Sequence, residues 1–324
     1  MLIPPKYIHT PKISELLSQI EAAKQVIDSI NIPPEVETNI RRQSTLKSSL
    51  FSARIEGNPL TIEELGKTST DQKRQEVFNI LKALNKVQKQ GLRDITQSIV
   101  LDMHKITMLK LTDTPGKFRT EVSAIFNSAG IAVYIPPPPR QIPGLLKKLI
   151  KFANSPKEQF VPIRAVLAHY SFEKIHPFLD GNGRVGRLLI QLSLQKSGYG
   201  MKGLLAIEEY LDKYRSTYYT MLSEGQKDVT DYVEFMLEAI AESANKAKDQ
   251  VLKKKDLTPE DYLLPRRAEI LNIVKEQKLV NFDQIKRRFS KVNDRTLRYD
   301  LKKLADQRLI RKLGTTRGVY YQAG

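Results

Sequence analysis

Apolar side chains recur at steps of three and four from residue 13 to residue 30. Ile13, Leu16, Leu17, Ile20, Ala23, Val26 and Ile27 fall on one side of a 3.6-residue repeat, which predicts an amphipathic helix. Asn31-Ile32-Pro33-Pro34 stops it, and residues 34–55 read as a second helix that ends where Gly57-Asn58-Pro59 breaks the pattern. Further helical stretches lie near 61–66, 71–90, 94–107 and 143–154. Between 120 and 135 the period shifts to that of strands: residues 120–126 and 131–135 flank the turn Asn127-Ser128-Ala129-Gly130, a hairpin signature. Pro136 to Pro139 cannot donate backbone hydrogen bonds and close the second strand. Two long helical patterns then flank the segment from His176 to Arg187, one ending near Ile175 and one starting near Gly183, and another helix runs to about Gln250.

Residues 253–260, KKKDLTPE, read as a charged linker. Beyond it, 266–277 and 281–289 are predicted helices, the second capped by Asn281. Residues 294–307 place Leu297, Leu301 and Leu304 on one face with Arg295, Arg298 and Lys302 off it, and 309–313 and 318–321 read as two short strands around a Gly-Thr-Thr-Arg turn. The expected fold class is therefore mainly α, a helical bundle with one β-hairpin, followed by a small α+β domain. The expected division is 1–110, 111–250, a linker at 251–265, and 266–324.

Composition narrows the partners. The net charge of +17 attracts polyanions, and the excess is uneven: from Arg266 onward there are 16 Lys and Arg against 6 Asp and Glu. With no cysteine, disulfides, thiolate metal sites and cysteine nucleophiles are excluded, which fits a cytoplasmic setting. No apolar run reaches the roughly 18 residues of a membrane span, and the start, Met1 to Lys6, lacks the pattern of a secretory leader.

Residues 176–187, HPFLDGNGRVGR, gather a candidate base, a carboxylate, loop glycines and two arginines at the start of a helix. Gly181 and Gly183 let the backbone approach an anion, and the helix that follows directs free N–H groups at the same place. Arg184 and Arg187 are three apart, share a helix face, and suit neighbouring phosphates. Asp180 offers the hard oxygen that Mg²⁺ takes together with substrate phosphates. His176 has an ordinary pKa near working pH and is the natural general base for an attacking hydroxyl. Each feature alone also reads as an ordinary loop residue or turn. Their register in one loop-helix unit favours the chemical reading.

The twelve residues resemble the Fic motif, HPFxDGNGRxGR, at every fixed position, and the resemblance extends over most of residues 40–240. It implies a protein adenylyltransferase that moves AMP from ATP, with Mg²⁺, onto a Ser, Thr or Tyr hydroxyl of a target protein or of itself. By resemblance His176 is the base, Asp180 the metal ligand, Gly181, Asn182 and Gly183 the anion hole, and Arg187 the γ-phosphate holder, with Arg184 also on the phosphates. Relatives that transfer the γ-phosphate carry a lysine where this chain has Gly183, which favours AMP. Pro115 to Arg119 resembles the segment leading into the family's flap, and the hairpin resembles the flap itself, which docks the target as an added strand. Ile131 and Tyr134 are its expected contacts. Tyr218 and Tyr219 resemble a pair near the adenine pocket, though tyrosines half-buried on a helix would give the same pattern, and Gln226 departs from the asparagine of several relatives.

Residues 52–57, SARIEG, resemble the family's inhibitory motif, [ST]xxxE[GN], in the subgroup that carries it N-terminal to the catalytic motif. Ser52 and Glu56 would then form a brake, with Glu56 on Arg187 where the γ-phosphate belongs. Alone, the segment reads as a solvated helix face ended by a glycine cap. In some relatives the same glutamate directs a water that removes AMP, a second activity to consider. Residues 266–324 look like a winged helix-turn-helix, for which DNA is the sharper partner and a protein-protein or homodimer module the alternative. The rival functional reading is a DNA-binding transcription regulator whose Fic domain senses a nucleotide.

Overall fold

The computed structural model describes residues 2–32, 34–65, 71–89, 91, 93–126, 132–223, 228–253, 260, 263–290, 292–314 and 318–324. The chain is mainly helical and divides into two units, one of residues 1–30 and 43–250, the other of 31–42 and 251–324. The sequence divisions 1–110 and 111–250 both contribute to the first unit. Among the described residues, no helix is long and apolar enough to cross a membrane.

In the first unit, α1 (Pro11–Ser29) starts at Thr10, whose side chain accepts from the Ile13 N–H at 3.2 Å, and buries Ile13, Leu16, Ile20, Ala23 and Ile27 along one stripe. Helix α2 (Pro34–Ile55) leads to the short α3 (Ile62–Leu65), then α4 (Gln72–Lys89) and α5 (Gln97–Thr107). Helix α5 starts at Gln97, three residues later than the sequence pattern suggested, because Thr96 caps the Ile99 N–H at 3.3 Å. Strands β1 (Ile125–Phe126) and β2 (Ala132–Tyr134) pair antiparallel, Ile125 opposite Tyr134 and Phe126 opposite Ala132. The turn residues 127–131, including the expected target contact Ile131, lie outside the described residues, as does Gln226.

Helix α6 (Ile142–Ala153) covers α7 (Val161–Ile175), which packs along α8 (Asn182–Lys196). Helix α7 is buried from Pro162 to Ile175 with Arg164 as the exception, so its sequence shows no polar stripe. Helices α9 (Ile207–Lys213), α10 (Arg215–Ser223) and α11 (Thr230–Lys253) follow.

The second unit holds α12 (Pro265–Gln277), β3 (Val280–Asn281), α13 (Phe282–Arg288), α14 (Asp294–Asp306), β4 (Ile310–Leu313) and β5 (Tyr320–Ala323), with the antiparallel sheet in the order β3-β5-β4. The sequence reading missed β3, a two-residue strand with no periodicity to reveal it. Asn281 caps α13 in a reciprocal box with Gln284, at 2.9 Å and 2.8 Å. Leu297, Leu301 and Leu304 of α14 join Ile270, Leu271, Val274 and Tyr321 in the core. Asp300, on the same face and 1% exposed, accepts from Arg266 Nε at 2.5 Å and Arg267 Nε at 3.0 Å, which pins α14 to the first turn of α12. Arg267 is itself buried, so Asp300→Ala takes a carboxylate away from a buried guanidinium. The expected cost is about 3 kcal/mol, read in urea unfolding of the full chain as an earlier loss of the unit that holds it.

Candidate active site

The catalytic-type segment begins where α7 ends. His176 is the helix C-cap, in the left-handed region at φ 48°, with its N–H still donating to the Phe172 carbonyl at 3.0 Å. Its imidazole is partly buried. Burial lowers its pKa to about 4, the Glu173 carbonyl and the charges of Glu56 and Asp180 pushing upward and Arg119 downward. His176 is thus neutral, and able to accept a proton, across the physiological range.

The loop that follows is tied at several points. The Asn182 side-chain amide bonds Phe178 in both directions, accepting from its N–H at 2.9 Å and donating to its carbonyl at 2.8 Å. That assigns the Asn182 side chain to holding the loop; only its backbone, in the first turn of α8, remains for an anion. Gly181 precedes α8 at φ 81°, and no side chain caps the helix, so the N–H groups of the first turn stay available.

His104 of α5 stacks on Phe178, ring centres 3.7 Å apart and nearly parallel. Its Nδ1 accepts from the Gly116 N–H at 2.8 Å, so the proton sits on Nε2, which donates to the Asp180 carbonyl at 3.0 Å. Arg119, 2% exposed, donates from its N–H to the Pro177 carbonyl and from its guanidinium to the carbonyls of His176 at 2.8 Å, Glu121 at 2.9 Å and Pro137 at 2.6 Å. It therefore staples both feet of the hairpin to the motif loop. Neither role was visible in sequence, since both act through backbone carbonyls.

Arg187, 2% exposed, donates from Nε to the Ser52 hydroxyl at 3.0 Å and from Nη2 to the Ser52 carbonyl at 2.9 Å and Glu56 Oε1 at 2.8 Å. Burial opposes its charge and the Glu56 carboxylate restores it, so it stays a guanidinium. Its Nη1 is buried with no partner. A Cβ on residue 183 would stand 2.6 Å from Glu56 Oε1 and 3.1 Å from Arg187 Nη1. With Glu56 seated there, a side chain at residue 183 would have to push its carboxylate aside. Gly57, at φ 95°, makes the turn that ends α2 with Glu56 facing this place.

Arg184 divides its guanidinium between Glu76 Oε1 at 2.6 Å and Asp180 Oδ1 at 2.7 Å, with Nε buried and unpartnered. Asp180 is 60% exposed at its side chain, and Oδ1 also accepts from the Gly181 N–H at 2.5 Å. Beneath the arginines, burial lifts the Glu173 carboxyl to about 8 against the pull of Arg187, so it is largely a neutral acid near pH 7 and leaves Arg187 its charge.

Tyr218 corrects one expectation. It is 1% exposed, and its hydroxyl pairs with His169 Nε2 at 3.1 Å, so it is a core residue with no free face for stacking. Tyr219 is 42% exposed and donates to the Ile55 carbonyl at 3.1 Å, which leaves it as the available ring of the pair and also holds the end of α2. In the hairpin, Tyr134 donates to the Lys174 carbonyl at 2.8 Å beneath the Lys174 amine, which lies 4.5 Å from its ring centre. Its hydroxyl is committed to the scaffold.

The depressed His176 pKa fixes the sign of a pH effect. Between about 6.5 and about 4 the unfolded chain binds this proton and the folded chain does not. The stabilising contribution of His176 is full above 6.5 and lost as pH falls through 4. An NMR titration is expected to show the His176 ring protonating near pH 4; a midpoint at 6.5 would contradict the burial argument.

Residues 94–194 match the Fic/DOC family. A probable protein adenylyltransferase of Aquifex aeolicus is 26% identical over 208 residues, 59% of this chain and 63% of that protein. The protein adenylyltransferase Fic of Drosophila erecta is 24% identical over 234 residues, 68% of this chain and 45% of that protein, so the chain spans less than two thirds of the length of either relative. The crystal structure of a Fic family protein from Desulfovibrio desulfuricans superposes with a TM-score of 0.68 over 99% of this chain and 98% of that one, at 23% identity. Over residues 94–194 the chain is thus similar to the Fic/DOC family, and over a longer stretch to relatives named as protein adenylyltransferases.

Proposed function

We propose that this chain is a protein adenylyltransferase that moves AMP from ATP to a hydroxyl side chain of a target protein, or of itself, and that Glu56 restrains it. The observation that carries the reading is the convergence of His176, Asp180, Arg184 and Arg187 on the uncapped amino end of α8, with the space over Gly183 filled by a carboxylate from another element. A carboxylate at that place is a fair stand-in for a phosphate: it takes a donor that a nucleotide needs and sits against the helix N-terminus.

The residues fit a nucleotide. Arg187 Nη1 and Arg184 Nε are buried donors without partners, and Gly183 lacks the side chain that would close the cradle. They also fit Mg²⁺ in the form that nucleotide enzymes use. Asp180 is one exposed carboxylate, and the described residues hold no cluster of three His, Cys, Asp or Glu, so the remaining ligands would come from phosphates and water. When bound, the ion would neutralise phosphate charge beside Asp180.

In the reaction, neutral His176 accepts the proton of the target hydroxyl as its oxygen attacks the α-phosphorus. The new bond joins oxygen to phosphorus, the bond from the α-phosphorus to the bridging oxygen breaks, and pyrophosphate leaves with that electron pair. Arg187 and Arg184 bind the phosphates, and the first-turn N–H groups of α8 stabilise the charge on the α-phosphate. The β1-β2 hairpin, fixed at its base by Arg119, presents a strand edge to the target. Glu56 takes a donor of Arg187 and so holds the γ-phosphate off. Removal of AMP by a Glu56-directed water would use the same carboxylate.

For residues 266–324 we favour DNA as partner. Three helices, α12, α13 and α14, with a sheet in the order β3-β5-β4 are consistent with a winged helix-turn-helix, and Arg295, Arg298 and Lys302 are exposed on α14 with Arg311 and Lys312 on β4.

Two outcomes test this. With α-labelled ATP and Mg²⁺, Glu56→Gly is expected to raise labelling of protein by about 10- to 100-fold, the worth of one charge-assisted contact. Adding His176→Ala is expected to cut it by about 10²- to 10⁴-fold; equal labelling by the parent chain and Glu56→Gly would remove the brake. In a gel shift at low salt the chain is expected to retain duplex DNA, weakening as salt rises, and to lose it when Arg295 and Arg298 become Ala; an unshifted duplex would leave the protein-protein reading.

A further inference from the structure

Glu76 lies outside every motif, yet it touches both halves of the site. From α4 its Oε1 accepts from Arg184 Nη1 at 2.6 Å, and its Oε2 accepts from Asn58 Nδ2 at 2.9 Å. Asn58 stands two residues past Glu56 in the turn that ends α2. It is 6% exposed, its amide also donates to the Lys73 carbonyl at 2.8 Å, and its N–H donates to the Ala53 carbonyl at 3.1 Å. A single carboxylate thus bridges the turn that carries the inhibitory glutamate and an arginine of the phosphate site.

We propose that Glu76 is a positioning residue that anchors Arg184 for the nucleotide and couples that anchor to the seating of Glu56. The proposal rests on the adenylyltransferase reading above.

Two features give it direction. Arg184 has two carboxylates at its terminal nitrogens, and they differ. Asp180 is 60% exposed at its side chain, on a loop, and free to turn to another ligand; Glu76 is 14% exposed and fixed to α4. When a phosphate competes, Asp180 is the partner that yields, and Glu76 keeps the guanidinium aimed. The second feature is chain continuity. Glu56, Gly57 and Asn58 are consecutive, so drawing Glu56 away from Arg187 pulls on the Asn58 amide that Glu76 and Lys73 hold. The same carboxylate therefore restrains the release of one arginine and orients the other.

The test separates the anchor from the coupling. ATP binding is measured by calorimetry on the full chain carrying Glu56→Gly and His176→Ala, in which labelling cannot interfere. Adding Glu76→Gln, which keeps the shape and removes the charge, is expected to weaken ATP affinity by about tenfold, with Glu76→Asp restoring part of it and an unaltered thermal transition showing that the fold is kept. In the chain with Glu56 present, Asn58→Ala is expected to raise labelling several-fold, and most of that gain is expected to disappear when Glu76 is already Ala, because both changes break the Asn58–Glu76 contact. Unchanged ATP affinity with Glu76→Gln overturns the anchor, and fully additive effects of Asn58→Ala and Glu76→Ala overturn the coupling. Absence of any ATP binding by the Glu56→Gly, His176→Ala chain overturns the adenylyltransferase reading, and the role of Glu76 with it.

Discussion

A permanent positive charge at Arg187, almost sealed from solvent, is the constraint around which the first unit is arranged. A guanidinium cannot shed its proton to escape burial, so the fold must bring acceptors to it. Ser52 supplies two, its hydroxyl and its carbonyl, and Glu56 supplies the compensating charge. The nearby Glu173 could have supplied that charge from the core and does not, because burial keeps its proton in place. The charge is therefore balanced from the one side where the balancing group can be exchanged. That carboxylate stands at a helix end and is 26% exposed at its side chain, so it can move away from the guanidinium as one locked in the core could not.

This arrangement explains the composition of α2. Its buried positions include Ser44, Thr45, Ser48, Ser49 and Ser52, small hydroxyls where an ordinary core helix has leucine. Ser52 meets Arg187, Ser48 donates to Glu208 at 2.5 Å, and Ser49 returns its proton to the Thr45 carbonyl at 2.7 Å. A helix that must approach polar groups closely needs short, hydrogen-bonding side chains on the face it buries. It gives up apolar burial to do so, and its end is held instead by named contacts from outside: Tyr219 on the Ile55 carbonyl, Arg54 with Asp212 at 3.3 Å, and Asn58 on Glu76.

The parts legible in sequence are those in which local order and chemistry coincide. Residues 176–187 are continuous, so the histidine, the carboxylate, the helix start and both arginines could be read from spacing, and Arg184 meets Asp180 within that segment. The amphipathic stripe of α1 and the leucines of α14 were legible because each of these helices buries a single face. Helix α7 was visible only as an apolar run, since a helix buried all round has no phase to detect. Tyr218 was misassigned for a related reason: adjacent tyrosines on α10 point to different surroundings, and sequence does not say which ring the core takes. The contacts of His104, Arg119 and Glu76 were not legible, although Arg119 closes a segment that the sequence did single out. These residues come from three different segments and act on backbone carbonyls or on a side chain more than a hundred residues away, which leaves no spacing to read.

Those three residues share a logic that the motif lacks. The motif supplies reactive groups but few of the constraints that aim them: Asn182 closes the loop on Phe178, and little else in it is self-supporting. His104 holds the Asp180 carbonyl from α5, Arg119 holds the His176 carbonyl from the hairpin base, and Glu76 holds the Arg184 side chain from α4. Each of these motif residues thus has its own support from a separate element, and each support is bonded a second time elsewhere, to Gly116, to Pro137 or to Asn58. A displacement of the hairpin is therefore transmitted to His176, and a displacement of the α2 turn to Arg184, through single hydrogen-bonded groups. Placement within fractions of an ångström governs a transfer between oriented partners. Control over such a site is then most readily exercised at the supports, leaving the reacting groups themselves unchanged.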